Sequence, residues 1–480
     1  MMRPCPRPPC HAGVALTLML LLGSCATNPA TGKREIMLVS EEQEISLGRQ
    51  EDQRALAAYG EYPDPALQDY VSALGQRVAA KAERPSLPWT FRLADDAAVN
   101  AFAAPGGFIY VTRGILAHLD SEAQLVMVLG HEVGHVTARH LAQQISKQQM
   151  ATLGLGIGMI AVPELQRFGG LGETGLGLLF LKFGRDDERE ADSLGLRYSQ
   201  RLGYDAAEGA RAFRMLDQMA QQSEGGRAPG WLSTHPDPGD RYRALVATIR
   251  NQGATGDLVQ REGYLKRLDG LVFGDDPREG FFRDRTFYHP QMEFRFVLPA
   301  GFEGRNTKQA VEAVSAAGDA AVQLTLAKES TAEAAARAFF AEVGGDPRRR
   351  DVNGLGGVVG TFEVTSGSTA LRGVASFVGY RNKVFRLVGY SRASSFGQYR
   401  DALEDAVTSF APLRESWALK VEPARVDVVV PDRDRTLAQF LERYPSTAKP
   451  ATIALINQLG DGEVLKAGRQ AKRVVGGTGQ

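Results

Sequence analysis

Cysteine is scarce in this chain and confined to one end: of 480 residues only Cys5, Cys10 and Cys25 are cysteines. The residues that follow can form no disulfide among themselves, so their fold must rest on packing, which a chain of this size can supply by burying a large core. A surplus of one charge is also missing, because 56 basic groups balance 56 acidic ones. Nothing in this balance indicates a nucleic-acid partner.

Long apolar runs are missing as well. The run from Val14 to Leu22 is too short to span a bilayer as a mature helix. A second stretch, residues 151–183, is rich in glycine and apolar residues, but Pro163 and the polar residues 164–167 divide it into halves that each fall short of about 20 apolar residues. We expect this stretch to form a mobile flap or a helical hairpin, with packing in the core as an equal alternative.

Histidine is rare too, yet two of the seven histidines fall within five residues, in the sequence His131-Glu132-Val133-Gly134-His135. Apolar residues recur around this stretch at helical spacing, and Ser121 with Gln124 predicts a capping box that starts the helix. On a helix the two histidines lie one turn apart on the same face and can bind one zinc ion. Glu132 would lie beside the open coordination position, where a carboxylate can act as general base.

A third ligand must come from elsewhere in the chain. The extended pattern with a further histidine fails, because positions 138 and 141 hold Ala and Leu, and we expect His140 to lie on the surface. Glu188 and Asp192 are better candidates, since residues four apart share a helix face. One of these carboxylates can bind zinc while the other accepts a hydrogen bond from a ligand histidine.

Four sequence blocks occur in an order that is typical of one family. They are His131–His135, Glu188–Asp192 with the following Leu194-Gly195, Asn100–Val111, and Ser233–Arg241. Together, over roughly residues 40–250, they resemble the HtpX and CAAX-prenyl-protease type of gluzincin zinc metallopeptidase, and most strongly its periplasmic members.

The resemblance implies roles for individual residues. His131, His135 and Glu188 would be the ligands of one zinc ion per chain, Glu132 the general base and Asp192 the carboxylate that orients a ligand. Gly130 departs from the family, where Ala is usual, at some cost in helix stability.

His235 lies before Pro236 in the last of these blocks, and the resemblance places this loop near the cleft. The histidine could stabilise the oxyanion of the transition state. It could instead occupy the open zinc position and keep the resting enzyme latent, which we favour. A loop histidine bonded to backbone is the alternative without function.

The start of the chain resembles a bacterial lipoprotein signal, with Arg3 and Arg7 before the apolar run and Leu22-Gly23-Ser24 before Cys25. Cleavage before Cys25 would leave its thiol free for acylation and a lipid anchor. Ala26, which is not an aspartate, favours the outer membrane by family rule. The processed chain would carry a net charge of −2, because two of the 56 basic groups are removed.

The turn at Pro105-Gly106-Gly107 leads into an alternating, β-rich stretch at residues 108–112. We expect an edge strand beside the metal that pairs with an extended substrate backbone, with an ordinary internal strand as the alternative. The substrate-binding residues would be Gly107, Phe108, Ile109 and Tyr110.

The expected fold class is α+β, with a mostly helical zincin-type catalytic domain that contains a small edge-stranded sheet. The composition changes after about residue 255, where strand-like and helical segments predict a second α+β domain that resembles small photosystem-assembly modules. The tail resembles a degenerate LysM module, with Arg433 where a glycine is usual. The expected segments are a signal peptide (1–24), a polar leader (25–40), the metallopeptidase domain (41–254), an α+β accessory domain (255–415) and the LysM-like tail (425–476).

These observations predict a zinc-dependent endopeptidase, lipid-anchored in the periplasm, that binds polypeptides in extended conformation. The resemblance implies that its substrates are misfolded or unassembled envelope proteins. A chaperone-like or peptidoglycan-binding envelope lipoprotein with latent protease activity is the alternative. The expected partners are polypeptide substrates, the membrane through lipidated Cys25, and peptidoglycan for the tail.

Overall fold

The computed structural model describes residues 25–154, 181–222, 230–252, 256–366, 369–460 and 462–477. They form two compact units: unit 1 extends to Phe273 and includes Val426–Val475, and unit 2 comprises Gly274–Arg425 with the residues from Gly476. The mixed α+β class is confirmed. The first unit extends beyond the expected end at residue 254, and the tail clusters with it.

Unit 1 contains a short hairpin, one small sheet and ten helices among its described residues before Phe273. The hairpin strands are β1 (Cys25–Thr27) and β2 (Arg34–Ile36), and the sheet strands are β3 (Thr90–Ala94), β4 (Ala101–Ala104) and β5 (Phe108–Thr112). The helices are α1 (Glu41–Tyr59), α2 (Pro65–Ala79), α3 (Arg113–His118), α4 (Glu122–Thr137), α5 (His140–Gly154), α6 (Arg185–Arg201), α7 (Ala206–Gln222), α8 (Gly230–Thr234), α9 (Pro238–Gln252) and α10 (Arg261–Leu268). Among them, no helix combines the length and the apolar character that crossing a bilayer requires. Of the stretch expected to form a flap or hairpin, residues 155–180 lie outside the described part of the chain.

The sheet of unit 1 corrects one expectation. Strand β5 lies in the middle, parallel to β3 on one side and antiparallel to β4 on the other. It is therefore not an edge strand, because both rows of its backbone hydrogen-bonding groups are used within the sheet. Among the described strands, β4 occupies the edge on that side.

Helix α4 forms the centre of unit 1, and its residues from Ala123 to Thr137 are all buried. Ser121 caps the helix by accepting a hydrogen bond from the backbone of Gln124, which is one half of the predicted capping box. The side-chain oxygen of Gln124 accepts from the backbone of Asp120 and not from that of Ser121. Helix α6 packs along α4 at very short distance, since a Cβ atom added to Gly195 would lie 2.8 Å from the backbone nitrogen of His131. A Cβ atom at Gly130 would lie 3.0 Å from the Cα of Gly195. The glycine before the motif thus allows a close helix contact.

The hairpin β1–β2 lies within the segment expected to be a polar leader. Asn28, which is buried, donates from Nδ2 to the carbonyl oxygen of Ala138, 3.3 Å away, and Gln143 donates to the carboxylate of Glu35 at 2.6 Å. The backbone of Leu38 donates to the hydroxyl of Ser146. The segment is therefore attached to the end of α4 and to α5, because its polar groups find buried partners there.

Unit 2 consists of antiparallel sheets and three helices among its described residues. The order in the larger sheet is β12-β13-β14-β15-β11-β10-β9, and in the smaller β16-β8-β7-β6. Strands β6–β11 are Phe281–Arg283, Thr286–His289, Phe294–Val297, Phe302–Asn306, Ala310–Ser315 and Ala320–Leu326; β12–β16 are Arg348–Val352, Leu355–Ser366, Thr369–Tyr380, Lys383–Arg392 and Ala411–Pro412. The helices are α11 (Ala332–Val343), α12 (Phe396–Thr408) and α13 (Ser416–Leu419).

Alternating residues of the large sheet of unit 2 pack against different helices. In β14, Val374 and Val378 belong to the cluster that contains α12, and Ala375 and Phe377 to the cluster of α11. The two helices therefore cover opposite faces of the sheet.

The tail folds in the order β17 (Ala424–Val429), α14 (Leu437–Arg443), α15 (Pro450–Ile456) and β18 (Ala471–Gly476), and its two strands form one sheet. It is joined to the rest of unit 1 by buried polar contacts. Lys472 is fully buried and donates to the carbonyl oxygens of Ala117 and Leu119 at 3.1 and 2.6 Å. Gln458 pairs with the side chain of Gln124 in the first turn of α4. The tail thus completes the packing around that end of α4.

Lys472→Met should destabilise unit 1, because it removes the donor to two buried carbonyl groups. Burial lowers the pKa of Lys472 to about 8 from 10.5, so between these values the unfolded chain binds more protons and the lysine's contribution to stability rises with pH. We expect a loss in unfolding free energy of about 1–3 kcal/mol near pH 9.5, and a smaller loss at pH 7. Denaturant unfolding at both pH values measures it.

Lys466→Met is the matched control, since Lys466 lies in the same tail but is exposed and paired with Asp434. It should change stability little at either pH. A deficit of Lys472→Met that does not grow with pH would contradict this assignment.

Candidate metal centre

Helices α4 and α6 bring the ligand candidates together. His131 and His135 lie one turn apart on α4, and their Nε2 atoms are 3.0 Å from each other. Glu188 on α6 lies with Oε2 3.6 Å from Nε2 of His131 and Oε1 3.5 Å from Nε2 of His135. These side chains and that of His235 are buried, with ligand atoms within 4.8 Å of one another. The spacing that the sequence suggested therefore corresponds to one convergent cluster.

This cluster fits a divalent metal ion. Burial lowers the pKa of His131 to about 4 and that of His135 well below its usual value, so both imidazoles are neutral near pH 7. Nδ1 of His131 lies 3.0 Å from Oδ1 of Asp192 and can donate its proton there, which leaves Nε2 with a free lone pair facing the cluster. Two imidazole nitrogens and a carboxylate oxygen are a common set of metal ligands in proteins, and this set is typical of zinc.

Glu132 lies next to the ligands without a partner of its own. Its carboxylate is fully buried, and neither oxygen has a hydrogen-bond partner among the described residues. The nearest recorded cationic group is Nε2 of His235, 3.6 Å from Oε1. Burial raises the pKa of Glu132 to about 7. A carboxylate with a pKa near neutrality is suited both to accept and to return a proton.

Asp192 and Arg241 form a buried pair behind His131. Nε and Nη2 of Arg241 donate to the two oxygens of Asp192 at 2.9 and 2.6 Å, and Nη1 forms an ion pair with Oε2 of Glu188 at 2.6 Å. Burial opposes the ionisation of Asp192, but Arg241 and His131 hold its pKa below the usual range. The guanidinium thus fixes the positions of both carboxylates on α6.

His235 follows helix α8, and its backbone N–H donates to the carbonyl oxygen of Trp231. Its ring stacks on the indole of Trp231 with centroids 4.3 Å apart. Nδ1 lies 2.8 Å from Oε1 of Glu188 and 3.3 Å from Nε2 of His131. The imidazole therefore contacts the metal-ligand candidates, and not the backbone as in the alternative without function.

His140 corrects an expectation, because it is buried and not on the surface. Helix α4 ends at Thr137, and Arg139 adopts a left-handed conformation with φ of 61° before α5 begins. His140, five residues after His135, therefore does not lie on helix α4. Instead Nδ1 of His140 lies 2.9 Å from Nδ1 of His135.

The four residues expected to bind substrate are engaged elsewhere. Phe108 packs with Ala55 of α1, and Ile109 belongs to the main core. The hydroxyl of Tyr110 donates to Asp52, and Gly107 lies against Trp89. The last two residues of the neighbouring strand β4, Ala103 and Ala104, line a small cavity together with His135 and Val136.

Sequence reasoning missed the roles of Arg241 and Trp231. Arg241 ends the block Ser233–Arg241, but it lies 49 residues after Asp192, and no local spacing joins them. The only available signal was its place within a block that also holds His235.

Comparisons with known proteins agree with this geometry. Residues 65–249 match the model of Peptidase family M48. The beta-barrel assembly-enhancing protease of Yersinia pestis is 31% identical over 260 residues, or 52% of this chain and 53% of that protein. The protein of the same description from Escherichia coli strain K12 is 34% identical over 200 residues, 39% of each chain. The mitochondrial metalloendopeptidase OMA1 of Arabidopsis thaliana is 35% identical over 172 residues, 35% of this chain and 33% of that protein.

The matched region thus spans about half or less of the length of each of these relatives. Among solved structures, cyanobacterial PsbP from Synechocystis covers 27% of this chain and 91% of its own at 15% identity and a TM-score of 0.23.

Proposed function

We propose, from the premise that residues 65–249 are a metallopeptidase domain of family M48, that this protein is a zinc-dependent endopeptidase. The observation that carries the proposal is the buried convergence of His131, His135 and Glu188 beside the carboxylate of Glu132, which has no hydrogen-bond partner among the described residues. In this donor set a zinc ion would supply Lewis-acid chemistry, polarising a carbonyl group and making water more acidic.

The residues of the chain supply the proton transfers and the positioning. Glu132 accepts a proton from the attacking water and delivers it to the leaving amine, and its pKa near 7 suits both steps. Asp192 holds His131 through Nδ1, and Arg241 in turn holds Asp192. These contacts keep the ligands in place before substrate arrives, which lowers the cost of reorganisation during the reaction.

Strand β4 replaces β5 as our candidate for substrate binding. It is one of the two outer strands of the described sheet, and its end lines the cavity beside His135. An extended polypeptide can add to such an edge through backbone hydrogen bonds. This mode reads main chain more than side chains, so it suits substrates of varied sequence.

The substrates we propose are misfolded or unassembled envelope proteins. The support is similarity to the beta-barrel assembly-enhancing proteases, together with the signal-like first 24 residues. A chaperone-like protein with latent proteolysis is the alternative, and casein turnover that a chelator abolishes would favour the enzyme. Peptidoglycan binding by the tail is a further proposal, which co-sedimentation with purified peptidoglycan tests.

Glu132→Gln should keep one zinc ion per chain and lose activity. The change removes the proton acceptor but none of the ligands, so we expect casein turnover to fall by about 10²- to 10⁴-fold. Metal analysis and a peptidase assay of the purified protein measure both quantities. Glu122→Gln, in the first turn of the same helix, is the control and should stay active. Loss of zinc from Glu132→Gln, or full activity, would refute the role of Glu132.

His235→Ala should raise basal proteolysis while zinc is retained, because Nδ1 of His235 lies among the ligand atoms and would compete for an open position. If His235 instead stabilises the transition state, the rate of proteolysis should fall by about 10²- to 10³-fold. Initial rates on casein decide between them. The double variant with Glu132→Gln should be inactive. Any added proteolysis in His235→Ala would then arise from the site that contains Glu132. Unchanged rates from pH 6 to 8 would reject both roles.

Cys25→Ser should move the protein from the membrane fraction to the soluble periplasm. We propose that Cys25 is acylated and anchors the protein to the outer membrane; because Cys25 pairs with Ile36 in the docked hairpin, the lipid would be joined to unit 1 with no long linker. Cell fractionation measures the change. Cys10→Ser should leave the protein with the membrane, since residue 10 would be removed with the signal. Firm membrane binding of Cys25→Ser would speak against the anchor.

A further inference from the structure

We propose that His140 is a positioning residue that fixes the tautomer of His135 and so presents its Nε2 to the metal. This inference rests on the proposed zinc site. It concerns a histidine that lies outside the ligand set, and it follows from the contacts of its ring.

The turn between α4 and α5 brings His140 back towards the helix it follows. Arg139, with φ of 61°, reverses the chain, and its side chain is held by the carbonyl oxygen of Val39 at 2.7 Å and by the carboxylate of Glu44. The rings of His135 and His140 then meet edge to face, with centroids 5.0 Å apart and planes at 73°. Their Nδ1 atoms are 2.9 Å apart, which is hydrogen-bond distance.

Only one arrangement of protons lets this contact coexist with metal binding. Nε2 of His135 faces Nε2 of His131 and Oε1 of Glu188, so it must be unprotonated to act as a ligand. The proton of the neutral ring is then on Nδ1, which must donate it to Nδ1 of His140. His140 in turn carries its own proton on Nε2.

The surroundings of His140 favour that arrangement. Its Nε2 lies 3.9 Å from Oε1 of Glu190 and 4.0 Å from Oδ1 of Asp187. These carboxylates attract the N–H dipole and keep the proton on Nε2, so that Nδ1 remains an acceptor. Glu190 is itself held, because Asn28 of the hairpin donates to it at 3.3 Å.

The two ligand histidines thus use different acceptors for the same purpose. Metal-binding histidines generally donate their second ring proton to a fixed acceptor. His131 donates its Nδ1 proton to the carboxylate of Asp192. His135 donates its Nδ1 proton to the imidazole of His140. If His140 merely filled space, any side chain of similar volume would replace it.

Zinc affinity separates these roles, measured by competition with a chromophoric chelator on the full chain. His140→Leu removes the acceptor, and we expect it to weaken zinc binding by about 10- to 100-fold. His140→Asn places an amide oxygen close to the position of Nδ1 and should stay within about 3-fold of the unchanged chain. The visible spectrum of the cobalt-substituted protein should change in His140→Leu and be restored in His140→Asn.

His118→Leu is the matched control. His118 is also buried in unit 1, and its Nδ1 lies 2.7 Å from the carbonyl oxygen of Gly114, with no recorded contact to the ligands in the described structure. Its replacement should leave zinc affinity unchanged. Should His140→Leu fail to fold, His140→Ala takes its place.

Wild-type affinity in His140→Leu, or an equal loss in His140→Asn and His140→Leu, would overturn the proposal. Failure of the proposed function has a different signature, since the unchanged chain would then bind no zinc in the same titration.

Discussion

Helices α4 and α6 touch through glycine, and the site depends on that contact. Gly195 lies so close to His131 that a Cβ atom would approach the histidine's backbone nitrogen to 2.8 Å, and Gly130 faces Gly195 at a similar distance. A Cβ atom at position 130 would require a shift of only a few tenths of an ångström, whereas a larger residue at Gly195 would separate the helices. Because Glu188 and Asp192 precede Gly195 on α6, such a shift would move both carboxylates away from His131 and His135. A loss of helix propensity at these glycines is the cost of bringing the ligands within reach.

Carboxylates outnumber the cationic groups in the site. Glu132, Glu188 and Asp192 are buried carboxylates, and Arg241 is the buried guanidinium among them. With all three carboxylates ionised and the histidines neutral, two negative charges remain, which a divalent ion would offset. Without an ion, protons take part of this role, since Glu132 has a pKa of about 7, and, although burial opposes the protonation of His235, Glu188 and Glu132 raise its pKa. Buried charges without such compensation are costly. The donor set and the charge of the pocket therefore point to the same kind of ligand.

Local spacing predicted the parts of the site that lie on single helices, and it failed where the chain turns or where distant segments meet. The helical register of His131 and His135, and the four-residue spacing of Glu188 and Asp192, are properties of one element each, so the sequence predicted which faces they share. The burial of His140 was not predicted, because the left-handed backbone of Arg139 ends the helical register of α4 before it.

The order of the strands and the pairing of Arg241 with Asp192 are set by packing between segments far apart in sequence. The strand at Phe108–Thr112 was predicted correctly as a strand, but its place in the middle of the sheet depends on β4, which no local pattern reveals. In unit 2 the periodicity predicted both strands and helices but only some of those present, and the return of the tail to unit 1 was not predicted.

Residues near both ends of the described chain form hydrogen bonds at the ends of helix α4. At its carboxyl end, Asn28 donates to the carbonyl oxygen of Ala138 and also reaches Glu190, which faces His140. At its amino end, Gln458 bonds Gln124, and Lys472 bonds the carbonyl groups just before the helix. The motif His131–His135 is local, but the helix that carries it is held at its ends by residues more than a hundred positions away. Since catalytic groups must be held within a fraction of an ångström, these contacts of the hairpin and the tail help to position the motif.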